Sequence, residues 1–239
     1  MNYYLVTGGS SGIGRAVVSK LMSKNHRVIN LDIKKPERVL AGETFIEVDL
    51  SEYKDIHKYI PLGFKYDGVF LNVGVHTSGS IFKQSLETIE TSISINLLSN
   101  IAVIKALENN LMHGASIVFN GSDQCLVGKP NSFAYGMTKG AIAQMTKSLA
   151  LDLAEQKIRV NTVCPSTTNT QLYKDAIARF AKRENISLAK AEKIEASEFP
   201  LNRIAQPNEV ASLVCFLLSE ESSYMTGSLI PIDGGYTAR

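Results

Sequence analysis

Tryptophan is absent from this 239-residue chain, and cysteine is scarce. The three cysteines, Cys125, Cys164 and Cys215, are odd in number, widely spaced and without a histidine at metal-ligand spacing. A disulfide framework and a thiolate metal centre are thereby excluded, and small buried hydrophobes are expected instead. An excess of one charge is also missing. Twenty-five Lys and Arg stand against 23 Asp and Glu, a formal charge of +2, so composition offers no footprint for a nucleic-acid backbone. Apolar runs are short; the longest in the C-terminal half, Val210 to Leu218, falls well below a bilayer span. The segment Met1-Asn2-Tyr3-Tyr4-Leu5-Val6-Thr7 lacks the basic start and apolar core of a signal peptide, which predicts a cytoplasmic protein without membrane partners. What remains is 44% apolar and 20% charged, ordinary globular composition, and the length fits one domain over residues 1–239.

Along the chain, short β-rich runs alternate with helical spacing. Tyr3 to Thr7 stops at a Gly-rich turn, and Ile13 to Leu21 continues with helical periodicity. Further strands are predicted at Arg27 to Leu31, Thr44 to Val48, Gly68 to Leu71, Ala115 to Asn120, Arg159 to Val163 and Ser228 to Ile232. The stripe from Leu86 to Leu107 predicts one long helix over Ser85 to Leu111, and Ala134 to Glu155 predicts another. Strands separated by helices imply right-handed parallel crossovers: an α/β protein with a doubly wound sheet of about seven parallel strands and helices on both faces. Between Thr167 and Gln206 a mixed-charge helical stretch, Asp175 to Glu195, reads either as a solvated helix pair or as a substrate lid over the ligand edge of the sheet.

Two features point to a dinucleotide. Thr7-Gly8-Gly9-Ser10-Ser11-Gly12-Ile13-Gly14 lies between the first strand and first helix, where free N–H groups meet a pyrophosphate and glycine lets the ligand approach the backbone. Asp32 ends the second strand, where a carboxylate can accept from an adenosine ribose and would repel a 2′-phosphate. This favours NAD over NADP, although Lys34 and Lys35 follow closely, and Asp32 could also be an ordinary strand-end acid.

Tyr135 and Lys139 stand at i and i+4, on one helix face. A phenol with an ordinary pKa near 10 needs a neighbouring cation to act as a base at neutral pH. So short a pattern arises by chance, but Ser122 precedes it at the end of the fifth strand. With the glycine turn, Asp49 after strand three, Asn72-Val73-Gly74 after strand four, Asn96 in the long helix, Pro165 after strand six and Asp233-Gly234-Gly235 near the end, the chain resembles the compact short-chain dehydrogenase/reductase family. The resemblance covers nearly its whole length and implies a Rossmann-type fold.

The same resemblance implies roles for single residues. Tyr135 would be the general acid/base, Lys139 would hold the nicotinamide ribose and lower the tyrosine pKa, Ser122 would bond the reacting oxygen, and Asn96 would anchor a water on the proton path. Gly8, Ser10, Ser11, Gly12, Ile13 and Gly14 would take the pyrophosphate, Asp32 the ribose, Asp49 with Leu50 the adenine, and Asn72, Val73 and Gly74 would lie beside it. Pro165, Thr168 and Thr170 would meet the nicotinamide end. Two departures stand out: Val73 replaces the family's usual alanine, and Ser166 replaces a glycine, its Cβ expected to restrict the loop that closes on nicotinamide. Asp123-Gln124 gives weight to polar substrates, whereas His76 reads as a surface residue. The expectation is an NAD-dependent oxidoreductase for a small secondary alcohol or carbonyl compound, forming a homo-oligomer, a tetramer or dimer, through its two long helices. An NADPH-dependent 3-oxoacyl carrier-protein reductase and a non-catalytic dinucleotide-binding sensor or scaffold are the alternatives.

Overall fold

The computed structural model describes residues 1–61 and 63–238. Seven strands form one sheet: β1 (Tyr3–Thr7), β2 (Arg27–Asp32), β3 (Glu43–Glu47), β4 (Tyr66–Leu71), β5 (Leu111–Asn120), β6 (Arg159–Pro165) and β7 (Leu229–Ile232). Every pairing is parallel, and the spatial order is β3-β2-β1-β4-β5-β6-β7. This is the Rossmann-type doubly wound arrangement. The chain winds outward from β1 to β3, then returns to β4 on the other side of β1, so the crevice above β1 and β4 is the switch point where such sheets take ligands.

Both faces of the sheet are apolar because strand residues alternate and helices cover each side. Along β1, Leu5 faces one cluster with Ile29, Val69, Ile117 and Phe119. Tyr4 and Val6 face the other, with Val28, Phe70 and Val118. Helices α1 (Gly12–Ser23) and α7 (Pro207–Leu218) close the second face through Val17, Val18, Leu21, Val210 and Val214. Helices α3 (Ser99–Ala106) and α4 (Phe133–Asp152) supply Val103 and Ile142 to the first. Each fully buried Val or Leu of this kind contributes about 1.5–3 kcal/mol.

The long helix expected over Ser85 to Leu111 is in fact three pieces. α2 (Leu86–Ile93) runs into a π-helical turn (Ser94–Leu98) and then α3, which ends at Ala106. Leu111 already belongs to β5 and pairs with Tyr66. Leu107 and Leu111 continue the apolar stripe, so periodicity alone could not see the helix stop at the Glu108-Asn109-Asn110 turn. The charged stretch also splits, into α5 (Gln171–Glu184) and α6 (Leu188–Ser197), separated at Asn185, which takes a left-handed φ of 52°. The second long helix, expected to Glu155, stops at Asp152.

Candidate active site

The glycine turn closes on itself so tightly that Gly14 admits no side chain: a β carbon there would lie 2.1 Å from the Gly8 carbonyl oxygen. Gly8 and Gly12 have φ of 67° and 53°, the left-handed region. Asn72 staples the turn to β4: its amide donates to the carbonyls of Thr7 (3.2 Å) and Gly8 (3.1 Å), its backbone N–H donates to the Thr7 hydroxyl (2.9 Å), and its oxygen accepts from Asn120 (2.9 Å). Val73 packs against the core, so its extra methyls are absorbed.

Beneath the turn lies a buried polar network that sequence reading missed. The Gly9 N–H donates to Asn30 (2.9 Å), Asn30 donates to Glu43 (2.9 Å), and Arg15 grips both Glu43 oxygens at 2.8 Å. Glu43 lies just before the predicted third strand, and nothing in the spacing links it to Arg15. Asp32 sits beside this network, its two oxygens accepting from the backbone N–H groups of Ser10 (2.9 Å) and Lys34 (3.1 Å). Asp49 is exposed two residues past the end of β3, whereas the Leu50 side chain is in the core.

Across the switch point, α4 carries Tyr135 and Lys139 on one face, with the Lys139 ammonium 5.4 Å from the centre of the tyrosine ring. Lys139 is buried and donates 2.7 Å to the Asn120 carbonyl. Burial brings its pKa down to about 8. Burial also raises the Tyr135 phenol above its ordinary value; the Ser122 hydroxyl pulls it down, and Asp123 pushes it further up. Desolvation is the largest of these effects on the phenol.

Asn96 lies in the π turn, fully buried. Its oxygen accepts from Val75 N–H (2.7 Å), and its amide donates to the Val75 carbonyl (3.0 Å) and Thr138 (3.1 Å). It thus ties the loop after β4 to α4, and its oxygen keeps a second lone pair. A β carbon on Gly74 would lie 3.2 Å from that oxygen and 3.8 Å from the Lys139 ammonium, so Gly74, Asn96 and Lys139 converge.

The Ser122 hydroxyl donates to Asp123 (2.8 Å), whose other oxygen is paired with Lys129 (2.7 Å). His76 is half-buried rather than fully exposed: its ring packs edge-on against Tyr135 at 4.8 Å, and burial, with Arg179 and Lys129 nearby, lowers its pKa. The loop after β6 brings the Thr170 methyl against Gly12, over the glycine turn, while Thr168 is buried and bonds the Ser166 carbonyl (3.0 Å). Pro165 ends β6 opposite Ile232. Ser166 is absent from the left-handed residues, so its Cβ strains nothing. Cys164 and Cys215 are buried, but Cys125 is only partly so.

The residues fit a dinucleotide. Helix α1 starts without a side chain capping its first N–H groups, the turn before it has room only for backbone, and the buried ammonium of Lys139 has donors to spare beyond one carbonyl. Among the described residues there is no cluster that could hold a metal.

Comparison with known proteins agrees. Residues 8–237 match the family model described as enoyl-(acyl carrier protein) reductase. Oxidoreductase UcpA of Salmonella typhimurium is 31% identical over 98% of this chain and 93% of its own length. A short-chain dehydrogenase family protein of Francisella tularensis is 56% identical with a TM-score of 0.95, both chains being covered in full. The ligand-free aldohexose dehydrogenase of Thermoplasma acidophilum is 31% identical with a TM-score of 0.88, covering 100% of this chain and 94% of that one. Fold and site together define an oxidoreductase that uses a nicotinamide dinucleotide. The chain belongs to the short-chain dehydrogenase/reductase family and is an NAD(P)-dependent dehydrogenase/reductase.

Proposed function

We propose that this protein is an NAD-dependent dehydrogenase for a small, polar secondary alcohol, or reductase of the matching ketone, with Tyr135 as general acid/base. The observation that carries the reading is the convergence of Tyr135, Ser122 and Lys139 at the switch point of the sheet. Bound nicotinamide supplies the hydride acceptor or donor. Tyr135 moves the hydroxyl proton, Ser122 bonds the reacting oxygen, and Lys139 donates to the ribose hydroxyls. Asn96 holds the Val75 loop beside Lys139 and offers its remaining lone pair to a water on the proton path. Gly8 to Gly14, with Thr170 over them, receive the pyrophosphate, and the backbone of Leu50 with Asp49 lines the adenine side.

The preference for NAD rests on Asp32 at the turn and on Arg15, the basic side chain of the first helical turn, being held by Glu43. Polar substrates are favoured by His76, Asp123 and Lys129 around Tyr135 and Ser122. A carrier-protein-bound acyl chain fits this wall poorly, which argues against the 3-oxoacyl reductase alternative. The aldohexose dehydrogenase relative, whose named substrate is polar, points the same way. A cytoplasmic location and a substrate lid formed by α5 and α6 belong to this reading. So does a homo-oligomer assembled on the outer faces of α3 and α4, where Ile101, Ile104, Ala141 and Met145 line a shallow cleft of about 470 Å³.

Absorbance of reduced nicotinamide across a panel of polar alcohols is the test. Turnover is expected with wild type and a loss of at least about 10²-fold with Tyr135→Phe, the usual worth of a general acid/base. Fluorescence titration should give tighter binding of NADH than of NADPH. Silence across the panel, or an unaffected Tyr135→Phe, overturns the reading.

A further inference from the structure

The resting hydrogen bonds of Ser122 leave it unable to serve a simple alcohol without cost. Its hydroxyl oxygen accepts from the Gln124 N–H (3.2 Å), and its one proton goes to Asp123 Oδ1 (2.8 Å). To stabilise a reacting oxygen, that proton has to turn away from Asp123. The Asp123 side chain is only 2% exposed, and Lys129 satisfies its other oxygen, Oδ2, so Oδ1 is then left short of a donor in a site that water reaches poorly. A second acceptor waits nearby: Gln124 Oε1 is buried without a partner and lies 3.0 Å from where a β carbon on Gly136, next to Tyr135, would stand. A monofunctional alcohol spends its single hydroxyl on Tyr135 and Ser122 and has nothing for either acceptor.

We propose that the substrate carries a second hydroxyl on the carbon beside the reacting one, and that Asp123 is the residue that selects it. The adjacent hydroxyl donates to Asp123 Oδ1, takes the place of the serine proton, and frees Ser122 to donate to the reacting oxygen. The substrates are thus vicinal diols in one direction and α-hydroxycarbonyl compounds in the other, the class to which sugars and polyols belong. This rests on the dehydrogenase reading above and narrows its substrate. Lys129, held both by Asp123 and over the Tyr236 ring at 4.3 Å, fixes the carboxylate in place. Asp123 is here a specificity residue; the proton and hydride of the reaction move as already described.

The experiment compares kcat/KM for matched pairs with NAD and with NADP: cyclohexanol with cis- and trans-1,2-cyclohexanediol, 2-butanol with 2,3-butanediol, and 2-deoxyglucose with glucose. In the unmodified protein the partner bearing the adjacent hydroxyl is expected to win by about tenfold or more, the size of one hydrogen bond to an ionised group. In Asp123→Asn the two members should move in opposite directions. The diol loses about tenfold, mostly in KM, and the mono-ol gains a few-fold because a neutral amide holds the serine proton less firmly. Equal values within each pair in the unmodified protein overturn the proposal while leaving the dehydrogenase reading intact, whether or not the variant folds. A variant that is folded by thermal denaturation and loses both activities in step overturns it as well, since that is what a purely structural aspartate would do. No turnover of any pair removes the dehydrogenase reading, and the proposal with it.

Discussion

Lys139 illustrates what a single residue costs the fold for the sake of the site. Its ordinary pKa of 10.5 falls to about 8 on burial, so the unfolded chain binds the proton more tightly than the folded one. The penalty is fully present below pH 8, shrinks as pH rises from 8 to 10.5, and is gone above that range. Lys139→Met should therefore be more stable than the parent at pH 7, by on the order of 3 kcal/mol at most, and the gap should close above pH 10; denaturant midpoints at the two pH values check it. The same variant should lose turnover, a trade of stability for function. Tyr135, Lys139 and Ser122 were legible as candidates in the sequence because they stand in one order with the glycine turn, Asn72 and Asn96, the short Tyr-Lys spacing alone being too common to single them out. The ion pair of Asp123 with Lys129 and the edge-on packing of His76 were not, because they depend on how the loops after β4 and β5 fold back over α4.

At the scale of elements, the strands were the most readable part, since a parallel sheet covered on both faces writes them as apolar runs bounded by glycine or a carboxylate. The errors fell where a polar side chain, rather than periodicity, sets the local course. Asn96 holds the Val75 backbone from within a π turn, and the stripe of Leu and Ile around it gives no sign of the extra residue. The network below the glycine turn is the other case. Glu43 begins β3 with its carboxylate fully buried and holds Arg15, Asn30 and the Leu40 N–H, thereby fixing Gly9. Glu43→Ala leaves the Arg15 charge without its partner, and a loss of about 3–5 kcal/mol is expected. Chemical denaturation measures that loss. A titration with NADH should show weakened binding as well, because the turn proposed to receive the pyrophosphate loses its support.

For the whole molecule, assembly is the question the sheet order leaves open. The outer cleft between α3 and α4 is more apolar than an exposed face needs to be, and Leu151 nearby is 79% exposed. Ile104→Lys places a charge in that face and should shift the protein to a smaller species in sedimentation velocity, with its far-UV circular dichroism unchanged. A wild-type chain that already sediments as a monomer at micromolar concentration removes the oligomer inference. The pairing of α1 with α7 has a consequence for synthesis on the ribosome. Residues 12–23 emerge early, yet the helix that covers them, residues 207–218, is translated almost last. The nascent chain must carry Val17, Val18 and Leu21 uncovered for most of its production, a standing invitation to chaperones and a reason why stop codons placed shortly before α7 would yield aggregates rather than smaller working enzymes.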